Sequence, residues 1–258
     1  GGAERTGTGR AGAVLAIIGV GKVGVALLAG VLRGGWPAAD LRAVDAAPGR
    51  ADQIAAQYGV AALPDPAACA DADVVLVAVK PADTAAVAQQ LGDAARGRGT
   101  AAPIVISAAA GVPIAMYERR LPAGSPVIRV MPNTPALIGQ GMTAISPGQA
   151  AGAAQLGLAH RIFAAVGDVV DVPEAQLDAV TAISGSGPAY VFLLAEALAD
   201  AGAALGLDPG VALALARQTL AGSGAMLRES ADSPAALRQA VTSPGGTTAA
   251  ALEVFAAR

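Results

Sequence analysis

The amino-acid sequence predicts an α/β domain followed by a domain made only of helices. As far as Val172, short runs rich in Val, Ile and Leu alternate with segments of helical periodicity, a pattern typical of a parallel sheet covered by helices. Beyond Val172 only the helical periodicity continues. We therefore predict an α/β domain over residues 13–172, a helical domain over residues 173–258, and a disordered glycine-rich tail over residues 1–12.

The composition argues against several kinds of binding partner and indicates the cellular compartment. The net charge of −3 and the lack of a basic run argue against a nucleic acid or an anionic membrane surface as partner. Cys69 is the only cysteine, which excludes an internal disulfide and favours a reducing, cytoplasmic compartment. Its simplest role is that of a small buried apolar side chain. No apolar run approaches the roughly 20 residues needed to span a bilayer.

A glycine motif joins the first strand to the first helix. The buried-strand pattern Val14–Ile18 leads directly into Gly19-x-Gly21-x-x-Gly24, and apolar residues at helical spacing follow. In this context Gly19 allows a tight turn, Gly21 lets a pyrophosphate approach the backbone, and Gly24 lets the helix pack on the strand. Free N–H groups at the helix start would bind the phosphates. The motif predicts a Rossmann-type dinucleotide site, and a glycine-rich turn without a ligand is the alternative.

Three later strand patterns end at candidate ligand contacts, because the carboxyl ends of parallel strands form the binding edge of such sheets. The patterns and the residues after them are Asp73–Val79 with Lys80-Pro81, Ile104–Ser107 with Ala108–Gly111, and Val127–Met131 with Pro132–Pro135. The small residues Ala108–Gly111 leave room for a flat ring. The two prolines present Asn133 and Thr134 rigidly, and Lys80 is either a cofactor contact or a solvated charge.

An acidic residue follows the second predicted strand, Leu41–Val44. Asp45 stands where an acid commonly binds the adenosine ribose hydroxyls, which favours NAD over NADP. Arg50 could reverse that preference by pairing with the phosphate of NADP. Alternatively, Asp45 caps the predicted helix Gly49–Tyr58.

The remaining elements complete the two domains. In the first domain we predict helices at Thr84–Ala94, from Pro113, and at Gln149–Val166, a loop at Gly92–Ala102, and strands at Met142–Ser146 and Asp168–Val172. In the second we predict helices at Ala175–Thr181, Ala189–Leu205, Pro209–Glu229, Pro234–Val241 and Thr247–Ala257. These helices have more apolar surface than a domain of this size buries by itself, which suggests a helical dimer interface.

Two runs of small residues interrupt the helical domain. Ser184–Tyr190 lies where a long helix begins, and Pro188 suits its first turn. Thr242–Thr248 joins two helices, and backbone N–H groups near Gly246 would form an anion site suited to a carboxylate. A simple capping turn is the alternative.

The residue inventory restricts the chemistry. His160 is the only histidine and lies within a helical run, while Lys22 and Lys80 are the only lysines. General acid catalysis therefore has few candidates, and no Cys/His cluster suits a metal. Hydride transfer to an already activated carbon fits better.

Five runs, in their order and spacing, resemble those of pyrroline-5-carboxylate reductases. They are Ala78–Pro81, Ser107–Gly111, Met131–Pro135, Ser184–Tyr190 and Thr242–Thr248. The resemblance implies a Rossmann-type domain followed by a helical dimerisation domain. It implies reduction of (S)-1-pyrroline-5-carboxylate to L-proline with NADPH or NADH, by a cytoplasmic homodimer or a higher assembly of dimers.

The resemblance also implies site residues. The cofactor contacts would be Gly19, Val20, Gly21, Lys22, Val23, Gly24, Ala78, Val79, Lys80, Pro81, Ala110, Met131, Asn133 and Thr134. The substrate contacts would be Ser243, Gly245, Gly246, Thr247 and Thr248. The Thr248 hydroxyl would approach the ring nitrogen as the catalytic residue, and the partner subunit would offer this loop.

Two other functions are compatible with the residues. One is reduction of a related imine or hydroxyacid with another small carboxylated substrate. The other is a dinucleotide-binding sensor or structural dimer without activity, because Gln239 stands where family members often have an acidic residue.

Overall fold

The computed structural model describes residues 13–99 and 102–257, so the tail predicted over residues 1–12 lies outside the described part. The chain divides into two compact units, of which the first ends at Pro188 and the second begins at Ala189.

An eight-stranded sheet organises the first unit. Its strands are β1 (Leu15–Ile18), β2 (Leu41–Val44), β3 (Ala61–Ala62), β4 (Val74–Val77), β5 (Ile104–Ser107), β6 (Val127–Met131), β7 (Gly141–Pro147) and β8 (Gly167–Asp171). Their order is β3-β2-β1-β4-β5-β6-β7-β8, and every neighbouring pair is parallel except β6 with β7. The predicted α/β class is confirmed. Strand β3 was not predicted, since two alanines carry no strand pattern, and the antiparallel direction of β7 was not predicted either.

Helices cover both faces of this sheet. The helices of the first unit are α1 (Lys22–Arg33), α2 (Arg50–Tyr58), α3 (Thr84–Arg98), α4 (Ile114–Glu118), α5 (Ala153–Ala164) and α6 (Leu177–Val180). Successive side chains of a strand point to opposite faces. Accordingly, Leu15 and Ile17 belong to one buried cluster with Phe163 of α5, whereas Ile18 belongs to a second cluster with Leu91 of α3.

Helix α3 corrects one prediction. It continues to Arg98, so the loop predicted over Gly92–Ala102 is wrong for residues 92–98, while Gly99 and Ala102 lie outside the helix. A Cβ atom on Gly92 would collide with the carbonyl oxygen of Arg120. This glycine therefore allows close packing inside a helix, and the helix ends only at Gly99, whose φ of 64° is left-handed. Helix α5 is shorter than predicted because its N-cap is Gly152.

An ion-pair cluster holds the segment after β8 on the sheet. Arg129 of β6 is buried and lies 3.3 Å from Glu174 Oε1. The same oxygen accepts the N–H of Ile114 at 2.7 Å, and Leu177 is fully buried nearby in the chain. The division by packing therefore falls after Pro188, whereas the predicted boundary at Val172 lies one residue beyond the end of β8.

The second unit consists of helices. They are most of α7 (Gly187–Ala204), together with α8 (Pro209–Glu229), α9 (Pro234–Ala240) and α10 (Thr247–Ala256). Among its described residues only Ala212 and Ala216 are buried, while Phe192 and Leu193 of α7 are 62% and 64% exposed. Most of the apolar surface of this unit is thus available to another surface.

One helical stretch, Glu174–Ala204, is long and apolar enough to cross a membrane by length and composition alone. The prediction that no apolar run approaches the length needed to span a bilayer was wrong. It failed because the stretch was taken as two helices and because Glu196 and Asp200 interrupt the apolar run.

The packing of α3 predicts opposite effects for two glycines of the same helix. Gly92→Ala should lower the free energy of unfolding by about 1–3 kcal/mol, because the added methyl must displace backbone. Gly97→Ala is the matched control, since its Cβ would meet no atom within 4 Å. It should raise stability by roughly 0.5–1 kcal/mol through helix propensity. Urea denaturation at a fixed protein concentration measures both, and equal stability of the two variants would contradict the packing role of Gly92.

Candidate active site

Five strand ends meet at one edge of the sheet. Strands β2, β1, β4, β5 and β6 are consecutive neighbours and parallel, so their carboxyl ends lie side by side. Backbone bonds extend this ladder past the strands: the Gly19 N–H donates to the Val44 carbonyl and the Ala78 N–H to the Ile18 carbonyl, each at 2.8 Å. The N–H of Ala108 continues it to β4. The segments predicted to contact a cofactor are thereby brought together at this edge.

The three glycines of the motif meet three different constraints. Gly19 has a φ of 93°, and a Cβ there would lie 2.7 Å from the Ala78 carbonyl oxygen. A Cβ on Gly24 would collide with the Gly19 carbonyl oxygen. A Cβ on Gly21 would meet no atom within 4 Å. Gly19 and Gly24 are therefore required by the fold. Gly21 borders open space, which fits the approach of a pyrophosphate.

Helix α1 begins at this turn with its N–H groups uncapped by side chains. Gly21 is the N-cap, and within the described chain no side chain caps this end and no acidic residue lies in the first turn. Lys22 and Val23 are exposed there, while the N–H of Val20 is already bonded to Asp45. The first N–H groups of the helix and its dipole therefore suit a phosphate.

Asp45 joins the end of β2 to the glycine turn. Its Oδ2 accepts the N–H of Val20 and its Oδ1 accepts the N–H of Ala47, both at 2.9 Å. It does not cap α2, because Gly49 is the N-cap of that helix. The alternative role as a helix cap is therefore wrong, and the carboxylate is fixed at the edge where an adenosine ribose would pass.

The segment after β4 is small and extended. Ala78 and Val79 are half-buried, and Lys80 is exposed with φ −62° and ψ 148°, the extended conformation that a following proline favours. Pro81 begins a short 3₁₀ turn. Ala110, which follows β5, is exposed at the same edge of the sheet. These residues leave the edge open to a flat ligand.

Asn133 connects the end of β6 to the segment before α7. Its Oδ1 accepts the Met142 N–H at 2.9 Å, and its Nδ2 lies 3.3 Å from both the carbonyl oxygen and the hydroxyl of Ser184. A Cβ on Gly185 would lie 2.5 Å from the Met131 methyl group. The side chain of Asn133 thus makes internal bonds, while Thr134 beside it is exposed.

A π-helical turn at Thr181–Gly185 was not predicted. The Ser186 N–H donates to the Thr181 carbonyl at 2.8 Å, five residues earlier. Such turns recur at functional sites. The Ser-Gly-Ser-Gly run was its only sequence signal, and that run was interpreted as the approach to α7.

A hydrogen bond between two buried side chains connects β5 to α4. Ser107 Oγ donates to Tyr117 Oη at 2.9 Å, and burial raises the pKa of Tyr117 to about 12. The phenol therefore stays protonated at neutral pH and serves to hold β5 against α4.

The hydroxyl loop of the second unit lies between α9 and α10. Gly245 has a φ of 70°, and the Gly246 N–H donates to the Ser243 carbonyl at 3.1 Å. Gly246 is the N-cap of α10, and among the described residues no side chain caps that helix and its first turn has no acid. The N–H groups at the start of α10, with the hydroxyls of Thr247 and Thr248, therefore present donors suited to a carboxylate.

The other side chains that could react, Cys69 and His160, are respectively a protonated thiol and a hydrogen-bonded imidazole. Burial, with a smaller effect of Asp65, raises the pKa of Cys69 to about 12, so it is not a thiolate. His160 Nε2 lies 2.8 Å from Asp171 Oδ1 on the partly exposed surface of α5. No group of metal-ligating side chains occurs in the described part of the chain.

Comparison with known proteins matches both parts of this arrangement. A family model described as pyrroline-5-carboxylate reductase dimerisation matches residues 174–258, and one described as NADP oxidoreductase coenzyme F420-dependent matches residues 14–111. The pyrroline-5-carboxylate reductase of Mycobacterium tuberculosis is 47% identical over 92% of this chain and 87% of its own length. This chain belongs to the pyrroline-5-carboxylate reductase family.

Solved structures of the pyrroline-5-carboxylate reductase family agree with the fold. The enzyme of Coxiella burnetii superposes with a TM-score of 0.86 at 35% identity, covering 95% of this chain and 91% of that one. The Plasmodium falciparum pyrroline carboxylate reductase, solved with NADP bound, has a TM-score of 0.83 at 27% identity, with 96% and 90% covered. The resemblance seen in the sequence is confirmed, as is the class of a Rossmann-type domain followed by a dimerisation domain.

The glycine turn predicts a selective defect. Gly21→Ala should keep the fold, because its Cβ meets no protein atom. It should weaken NADH and NADPH binding roughly tenfold or more, because the methyl group would keep a pyrophosphate from the backbone. Calorimetric titration measures the affinity and circular dichroism checks the fold. Unchanged affinity for both cofactors would contradict the placement of the pyrophosphate at Gly21.

Proposed function

We propose that this chain is a pyrroline-5-carboxylate reductase, which reduces (S)-1-pyrroline-5-carboxylate to L-proline with NADPH or NADH as the last step of proline biosynthesis. The proposal rests on one observation. A chain of this family has two helix N-termini that no side chain of the described residues caps, that of α1 at the glycine turn and that of α10 at the hydroxyl loop. The first suits a dinucleotide and the second suits a small carboxylate.

The cofactor would extend along the strand ends. A bound nicotinamide cofactor supplies the hydride for the reaction. In this proposal Gly19–Gly24 hold the pyrophosphate, Asp45 faces the ribose, and Ala78–Pro81 and Ala110 border the path towards Met131, Asn133 and Thr134. The internal bonds of Asn133 give that end of the path a fixed shape.

The substrate carboxylate would bind at the hydroxyl loop. Backbone N–H groups of Gly245, Thr247 and Thr248 and the Ser243 hydroxyl would hold it, whereas the Gly246 N–H closes the turn on the Ser243 carbonyl. Gly245 permits the turn because its φ is left-handed. The Thr248 hydroxyl would lie against the ring nitrogen and fix the direction of the C=N bond. Because the protonated C=N carbon is already electrophilic, positioning and electrostatics supply most of the catalysis. This agrees with the lack of a strong side-chain acid at the described strand edge.

The assembly follows from the helical unit. The matched family model describes dimerisation, and helix α7 exposes large apolar side chains. We propose a homodimer, or a higher assembly of dimers, in which the partner subunit offers its hydroxyl loop to this subunit's strand edge. The exposed apolar side chains of α7, which ends the apolar stretch Glu174–Ala204, would then contact the partner rather than a membrane. The single buried Cys69 and the lack of a basic run support a cytoplasmic enzyme without a nucleic-acid partner.

A turnover assay with matched variants tests the proposal. The protein should oxidise NADH or NADPH when pyrroline-5-carboxylate is added, as followed by the absorbance of the reduced nicotinamide. Thr248→Ala should lower kcat about 10- to 100-fold while cofactor binding is unchanged, and Thr248→Ser, which keeps the hydroxyl, should restore most of it. Turnover of a homologous cyclic imine alone would favour a related imine reductase. No turnover of any imine would refute the proposal, and full activity of Thr248→Ala would refute the role of that hydroxyl.

A further inference from the structure

The lining of the cavity beyond the glycine turn carries negative charges and, among the described residues, no positive one. The cavity has a volume of about 510 Å³ and adjoins the connection from β2 to α2. Its lining residues come from this connection, from the start of α2 and from residues 62–64, and they include Asp45 and Asp52. Two carboxylates and no Lys or Arg are among them. Such a lining suits a neutral ribose and disfavours a phosphate, which requires cationic partners.

The Asp45 carboxylate cannot easily turn away from this cavity. The N–H groups of Val20 and Ala47 hold one oxygen each, from the glycine turn and from the β2–α2 connection. A carboxylate oxygen has two acceptor positions, so each still has capacity to accept a ribose hydroxyl. The group is therefore pre-positioned for a 2′-hydroxyl and for repulsion of a 2′-phosphate.

The β2–α2 connection and α2 contain one cationic side chain, Arg50. Its guanidinium already makes two hydrogen bonds within the protein. Its Nε donates to the Val20 carbonyl at 3.2 Å and its Nη1 donates to Gln53 Oε1 at 2.9 Å. These bonds use two of the five N–H groups of the guanidinium, so a fork-like pairing of Nε and Nη1 with a 2′-phosphate would require their exchange, while Nη2 keeps its donors. The Arg50→Gln variant described below therefore decides whether Arg50 reverses the preference set by Asp45.

We propose that this chain binds NADH in preference to NADPH, and that Asp45 is the residue that excludes the 2′-phosphate. The inference rests on the proposed cofactor site, but it concerns binding and does not depend on which substrate is reduced. A doubly charged phosphate within a few ångströms of a fixed carboxylate is expected to lose at least about tenfold in affinity.

Calorimetric titration of the protein with NADH and with NADPH tests the preference. The wild type should bind NADH at least about tenfold more tightly. Asp45→Asn keeps an acceptor for the Val20 N–H and removes the charge, so it should bring the two affinities within about threefold, chiefly by improving NADPH binding. Asp52→Asn is the matched control, because Asp52 lines the same cavity but is exposed and screened. It should leave the ratio unchanged to within about twofold.

Arg50→Gln separates the two possible determinants. It should weaken NADPH binding no more than NADH binding. The inference is overturned if the wild type binds NADPH as tightly as NADH, if Asp45→Asn leaves the ratio unchanged, or if Arg50→Gln selectively removes NADPH binding. Binding of neither cofactor would overturn both this inference and the proposed function. A preference for NADH in binding without reduction of any imine would refute the proposed function and leave the inference standing.

Discussion

The backbone ladder that continues beyond the ends of β1, β2 and β4 is the constraint on which the candidate site depends. It brings the Gly19 backbone so close to Ala78 that a Cβ at Gly19 would lie 2.7 Å from the Ala78 carbonyl oxygen. The left-handed φ of Gly19 adds a conformational reason for glycine. Gly24 then lets α1 start directly on this turn, so the helix N-terminus, Asp45 and the segment after β4 share one edge. A side chain at either glycine would separate elements that must lie together.

The chemistry of the chain follows from what this edge lacks as much as from what it contains. Burial raises the pKa values of Cys69 and Tyr117 to about 12, so neither is an acid or a nucleophile at neutral pH. His160 pairs with Asp171 on the partly exposed surface of α5. A reaction that needs a strong general acid would therefore find few groups among the described residues. Hydride transfer to a protonated C=N bond needs placement more than proton transfer, which agrees with membership of the pyrroline-5-carboxylate reductase family.

Local patterns were sufficient to predict most of the sheet and the glycine turn. Buried strands have a continuous apolar pattern, and the motif has a fixed position between strand and helix, so both are visible in one stretch of sequence. The features that were missed depend on distant partners. Gly92 resembles a helix breaker until the Arg120 carbonyl is seen against it, and the segment after β8 belongs with the sheet only because Arg129 pairs with Glu174. The placement of the individual site residues stays a prediction.

We propose that one protomer's strand edge and its partner's hydroxyl loop form each active site. Mixing the two impaired variants Gly21→Ala and Thr248→Ala tests this arrangement after subunit exchange, at a cofactor concentration low enough to leave the Gly21→Ala sites largely empty. If the loop comes from the partner, each mixed dimer contains one site with both wild-type parts, and imine reduction should return towards about one quarter of the wild-type activity for random pairing. Homodimers of either variant are the controls. Activity no higher than that of the separate variants, with mixed dimers demonstrated by native mass spectrometry, would contradict the shared site.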